Sequence, residues 1–135
     1  MRTLYEFSDK QIAQVHQLYQ QEWWTNERTL VETQKCINGS QICVGLIDKN
    51  NHVIGFARVL TDYVFKALIF DVIVDTNYRK QGLGSQIIKT IQKHPNLQQV
   101  KAFELYCLPE LEAFYKQHGF TTDLNGVTLM RALHE

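Results

Sequence analysis

Arg79-Lys80-Gln81-Gly82-Leu83-Gly84 sets two cations ahead of two closely spaced glycines, after an extended apolar stretch and before a helical one. That order makes a place for a diphosphate. The first backbone N–H groups of a helix have no partners inside the helix, and they carry the positive end of its dipole. Glycines there remove the side chains that would hold phosphate oxygens away. Arg79 and Lys80 add charge at the rim, and Ser85 offers a hydroxyl. A Walker A loop would need Gly-Lys-Ser/Thr, but Ser85 follows Gly84 directly, and a dinucleotide fingerprint would need a third glycine. The plain structural alternative is a tight turn into a helix.

Two further groups carry chemical interest. Asp71 interrupts the apolar run Ala67–Val74. An acid inside such a strand demands a reason, and burial would raise its pKa toward a range useful to a proton acceptor. The alternative is a satisfied aspartate that caps a loop or pairs with Arg58. Strand alternation places Asp71 and Ile73 on one face and Val72 and Val74 on the other. Glu22, Trp23 and Trp24, with Asp62, Tyr63 and Phe65 from a later turn, supply aromatic faces and carboxylates suited to an ammonium group. His16 and His118 read as structural.

The elements that must position these residues follow from local signals. Ser8 with Gln11, and Thr29 with Glu32, are capping boxes that open two helices, the second ended by Asn38-Gly39. Ile42–Ile47 reads as a strand buried on both faces, and His52–Leu60 and Ala67–Asp75 as two more. Residues 82–93 form a helix with Ile87, Ile88 and Ile91 on its apolar face, stopped by Pro95. Val100–Cys107 is a strand. Pro109 starts a helix that Gly119 ends, and Asn125-Gly126 joins two closing strands, Phe120–Thr122 and Val127–Leu133. This order predicts a mixed α/β fold: a mostly antiparallel twisted sheet of six to seven strands with helices on both faces.

The 135 residues suggest one domain spanning 1–135. Zero net charge disfavours a nucleic-acid partner, and no apolar run is long enough to span a membrane. Cys36, Cys43 and Cys107 form no zinc-type cluster, so no metal is expected. Their odd number, with no secretion signal, points to reduced thiols and a cytoplasmic protein.

Arg79-x-x-Gly82-x-Gly84 at a strand-to-helix junction, followed by Phe114-Tyr115-Lys116-Gln117-His118-Gly119-Phe120, resembles the paired signatures of the GNAT superfamily of acyl-CoA-dependent N-acetyltransferases. The likeness covers nearly the whole chain. It implies acetyl-CoA as cofactor, its pyrophosphate on Arg79, Lys80, Gln81, Gly82, Leu83, Gly84 and Ser85, and its pantetheine arm along the backbone of Val72, Ile73 and Val74. It implies direct attack by a neutral amine on the thioester, with Tyr115 touching the cofactor and protonating the leaving thiolate. Asp71 is the first choice for the base, with Asp62, Glu22 and water as rivals. The sequence departs from the family where many relatives carry an Asn ahead of the tyrosine; here Glu110 stands near that place. Cys107 falls near the expected thioester, where a buried structural thiol is the commoner role.

The expected acceptor is a primary amine of a small molecule, held by Glu22, Trp23, Trp24, Asp62 and Tyr63, in a monomer or homodimer. A peptide or protein amine, which would favour an open groove over a closed aromatic pocket, is the alternative within the same fold. An acyl-CoA-binding sensor without catalysis is the alternative outside it.

Overall fold

The computed structural model describes residues 1–134. Its elements are β1 (Arg2–Leu4), α1 (Asp9–Tyr19), α2 (Leu30–Asn38), β2 (Ile42–Ile47), β3 (Val53–Thr61), β4 (Lys66–Val74), α3 (Leu83–Gln92), β5 (Ala102–Leu105) and α4 (Glu112–Lys116). The five strands form one sheet in the order β1-β2-β3-β4-β5. All neighbours are antiparallel except β4 and β5, which are parallel and joined through α3.

Both predicted capping boxes form, with each cap side chain and each N3 side chain bonded reciprocally to backbone. Every residue of β2 is buried, because helices cover both faces of the sheet. On one face Val44, Leu46, Ile54, Ala57, Val59 and Ile69 meet Leu83, Ile87, Ile88 and Ile91 of α3. On the other, Ile47, Val53, Phe56 and Ile73 meet Ile12, Val15, Leu18 and Tyr19 of α1 and Ile37 of α2.

The expected count of six to seven strands is corrected: the described residues form five. The turn at Asn125-Gly126 does form. Both residues have positive φ (56° and 84°), and the Val127 amide donates to the Leu124 carbonyl at 3.1 Å. That is the geometry of a two-residue hairpin turn. Its arms pair neither with each other nor with β5, so Phe120–Thr122 and Val127–Leu133 are not strands.

Two features of β4 shape the molecule. First, its pairing with β5 covers only Lys66–Ile69, against Ala102–Leu105. From Phe70 to Val74 it is paired with β3 alone. Second, Phe56 pairs with Ile73 and Arg58 with Phe70, so β4 carries one residue more than β3 between the same points. The extra residue is Asp71, with φ of 58°, a conformation open to Asp at modest cost. A bulge of this kind bends its strand and increases its twist. It falls where β4 parts from β5.

Asp71 is fixed by its side chain. Oδ2 accepts from Arg28 Nη1 at 2.6 Å, Arg58 Nε at 2.7 Å and the Tyr19 hydroxyl at 2.9 Å, and Oδ1 accepts from Arg28 Nη2 at 3.2 Å. The Arg28 guanidinium lies 4.7 Å above the Tyr19 ring, and that of Arg58 lies 5.0 Å from Phe70. Burial pushes the Asp71 pKa up, but hydrogen bonds and charge from Arg28 and Arg58 outweigh it, so the net shift is downward. The raised pKa expected from burial is therefore corrected, and pairing with Arg58 is the arrangement found.

Removing one charge of a buried cluster leaves the others uncompensated, a loss of roughly 3–5 kcal/mol. We expect Asp71→Asn to lower stability by about 3 kcal/mol in urea titrations at pH 7. The native pKa lies below the ordinary value of 3.8, so the stabilisation is complete above that pH and fades as the pH falls below it. The gap between wild type and Asp71→Asn should accordingly shrink at pH 3; an equal gap at both pH values would contradict the ionised cluster.

Candidate active site

Beside the open flank of β4, the chain passes through a single 3-10 turn, Thr76–Tyr78, and enters α3 through Gly82. Gly82 is left-handed (φ 78°) and no side chain caps the helix. Among the described residues, the backbone amides of Gly82, Leu83, Gly84 and Ser85 have no protein acceptor; the first bonded amide is that of Gln86, on the Gly82 carbonyl. A Cβ built on Gly82 would meet nothing within 4 Å. Free amides, open space and the positive helix end together fit a diphosphate.

Gly84 has a different task. A Cβ there would lie 3.3 Å from the ring of Phe114, so this glycine makes room for the aromatic of the second motif. The Ser85 hydroxyl lies 3.0 Å from His118 Nε2, which ties α3 to the end of α4. Arg79 also turns away from the rim position expected of it. Its Nε donates to the Val74 carbonyl at 3.1 Å, and its Nη2 pairs with Glu22 at 2.5 Å. Lys80 and Gln81 are exposed at the turn, Lys80 with φ of 65°. Two cations the motif does not mark, Lys89 and Lys93, line a shallow hollow of about 350 Å³ that begins at Gly82 and Ser85. A lysine on an exposed helix face carries no sequence signal of its own.

Val72 and Val74 face α3 and pack on the same cluster as Tyr115, while Ile73 points into the opposite core, as alternation predicts. Tyr115 is buried, edge-on to Phe114 at 4.9 Å and to Phe120 at 5.9 Å. Gly119, with φ of 90°, lets the chain double back: its amide donates to Lys116 O and that of Phe120 to Tyr115 O. This is a Schellman closure, and it seats Phe120 on Tyr115. No protein group among the described residues bonds the Tyr115 hydroxyl, yet that oxygen is not sealed from solvent. Burial, with Cys107 nearby, pushes the phenol pKa up to about 12, so it holds its proton at neutral pH. Cys107 is exposed rather than buried; partial desolvation of its sulfur and the charge of Glu112 raise its pKa.

The loop between α1 and α2 is anchored at three points. The Thr76 amide donates to Gln21 Oε1 at 3.1 Å, Glu22 pairs with Arg79, and Arg28 pairs with Asp71. These hold the loop by the C-terminal half of β4. Trp23, Trp24, Asn26, Glu27, Arg28 and Glu32 line a hollow there of about 300 Å³. Trp23 is 72% exposed, so the aromatic pair does not close into a pocket.

Asp62 and Tyr63 lie elsewhere. They form the turn between β3 and β4, at the start of a nine-residue strand whose other end meets the α1–α2 loop. At about 3.3 Å per residue the two ends are roughly 25 Å apart. Asp62 Oδ1 accepts from the amides of Val64 and Phe65, both at 2.8 Å, and these bonds lower its pKa. The grouping of Asp62 and Tyr63 with the tryptophans is thus corrected: Asp62 folds a turn.

A family model described as an acetyltransferase (GNAT) domain matches residues 38–122. The uncharacterized N-acetyltransferase ycf52 of Pyropia yezoensis is 30% identical over 131 residues, covering 93% of this chain and 75% of that protein. Among solved structures, a Xanthomonas campestris protein of the GNAT family superposes with a TM-score of 0.82 at 27% identity, over 99% of this chain and 94% of that one. An aminoglycoside 6'-N-acetyltransferase complexed with coenzyme A superposes with a TM-score of 0.60 at 16% identity, over 69% of this chain and 54% of that one, which is a likeness of fold. The motif pair, the parted strands and the family match agree: this chain belongs to the GNAT superfamily of N-acetyltransferases.

Proposed function

We propose that the chain acts as one catalytic domain that transfers an acetyl group from acetyl-CoA to a primary amine of a small molecule, by direct attack within a ternary complex. The observation that carries this reading is the continuous run from the open flank of β4 at Phe70–Val74 to the four free amides at the start of α3. An extended arm bonded along β4 would deliver a diphosphate to that helix start.

When bound, the coenzyme supplies an acyl thioester. The chain's own residues do the rest. Gly82, Leu83, Gly84 and Ser85 hold the diphosphate through their amides, with Lys80, Lys89 and Lys93 as nearby positive charge. The backbone of Val72, Ile73 and Val74 orients the arm. Tyr115, protonated and without an internal partner, donates its phenolic proton to the departing sulfur. Arg79 acts through structure, locking the α1–α2 loop to the end of β4.

For the base, the carboxylates of the fold offer little. Asp71 is ionised by two guanidiniums, Glu22 is paired with Arg79, and Asp62 holds its turn. We assign deprotonation of the ammonium to water in the cleft. The hollow beside Trp23 and Trp24, with Glu27 and Glu32 on its wall, is of a size for a small amine. Its open side and the exposure of Trp23 favour a second reading, in which a peptide or protein amine lies across it.

Three measurements test this. Tyr115→Phe should cut kcat by about 100-fold with CoA affinity little changed, and undiminished turnover would remove the acid role. Gly82→Glu brings a carboxylate and a strained φ to the phosphate seat, so calorimetry should show CoA affinity falling at least about tenfold. Thiol release measured over a panel of small amines and of amino-terminal and lysine peptides should favour the small amines. Preference for peptides would support the second reading, and no release with any amine would leave binding without transfer.

A further inference from the structure

The chain has three cysteines, and two of their thiols have partners. Cys36 Sγ donates to the Thr33 carbonyl at 3.3 Å, and the buried Cys43 Sγ to that of Ile37 at 3.7 Å. Cys107 is exposed, and no protein group among the described residues bonds its sulfur. The proposed reaction makes no use of it.

Its place follows from the register. β4 and β5 run parallel, and Ile69 beside Leu105 is their last pair. Tyr106 stays against β4, its ring edge-on to Phe70 at 5.8 Å. Cys107 comes next, where the unpaired half of β4 begins. Side chains alternate along a strand, and Phe103 and Leu105 pack on the cluster that holds Tyr115. Cys107 follows them on that face, near enough to the Tyr115 phenol for its charge to raise that group's pKa. Tyr115 is only 7% exposed, yet its hydroxyl has no protein partner and is not sealed from solvent. A buried phenol without a partner and a thiol beside it thus face one small space.

The coenzyme arm of the proposed function would end in that space. From the amides at the start of α3 it runs back from Val74 to Phe70, roughly 13 Å at about 3.3 Å per residue, to where β4 and β5 part. Resting on that reading, we infer that Cys107 is a site of covalent modification, which forms a mixed disulfide with coenzyme A when the coenzyme is presented as its disulfide. The Cys107 thiol gives its proton to water, and its thiolate attacks the sulfur of the half held in the cleft. The coenzyme S–S bond breaks as the new one forms, and the other half leaves as a thiolate that takes up a proton. One thiol and one disulfide enter and one of each leaves, so no further oxidant is consumed. The tethered coenzyme fills the cofactor seat and shuts out acetyl-CoA until a small thiol releases it. Desolvation and Glu112 keep the Cys107 thiolate scarce at neutral pH, so the exchange depends on a disulfide held in place rather than on one met by collision.

The test treats the full chain with coenzyme A disulfide and reads intact mass and peptide maps. One coenzyme moiety should attach, at Cys107, and dithiothreitol should remove it; Cys107→Ser should take up none. Glutathione disulfide has no diphosphate to anchor it, and at equal concentration it should modify Cys107 at least about tenfold more slowly. That comparison needs no variant, so it stands whatever Cys107→Ser does to folding. Uptake at Cys36 or Cys43 instead, equal rates for the two disulfides, or no uptake overturns the inference. Free coenzyme A titrated calorimetrically into the unmodified chain separates the two failures. Binding without an adduct rejects the Cys107 site and leaves the proposed reaction standing, whereas no binding removes the cofactor seat and both readings with it.

Discussion

The molecule is organised by a strand that has two neighbours along its first half and one along its second. β4 is held by β5 up to Ile69 and then released, and the release coincides with a left-handed residue, Asp71, inserted against β3. A bulge in a central strand would be a local defect if it could relax. It cannot, because the inserted side chain is gripped by Arg58 from the neighbouring strand and by Arg28 and Tyr19 from the helical layer. Four donors on one carboxylate lock a backbone kink that the strand would otherwise iron out. The unpaired half of β4 therefore begins beside a bulge that is held electrostatically, on the face of the sheet opposite α3.

That arrangement also decides what Asp71 does. Burial and charge pull its pKa in opposite directions, and two guanidiniums within 2.7 Å prevail over desolvation of a carboxylate. A group kept ionised by fixed cations is a poor proton acceptor and a good strut. An acid inside an apolar strand demands a partner or a function; here the partners came from 43 and 13 residues away.

What the sequence reveals and conceals divides along the same line. Both capping boxes, the helix-ending glycine at 119, the face assignment of Val72, Ile73 and Val74, and the hairpin turn at Asn125-Gly126 are local, set by residues within five positions of one another. All were legible. The bulge, the pairing of Arg79 with Glu22, and the distance from Asp62 to the tryptophan loop depend on where elements land. A two-residue period does not announce an extra residue, and a cation beside a glycine-rich turn does not announce that it will face a carboxylate 57 positions earlier. The closing strands failed for a related reason: alternation and a turn establish that a segment can pair, while its partner is set by which edge is open.

The two motifs are one device. Gly84 is small because Phe114 lies against it, Ser85 meets His118, and Gly119 folds Phe120 back onto Tyr115. The turn that presents free amides and the helix that presents a free phenol are thus packed through shared contacts, and the distance between those amides and that phenol is fixed by side-chain volume. A substitution that enlarged residue 84 would press first on Phe114, and through it on Tyr115.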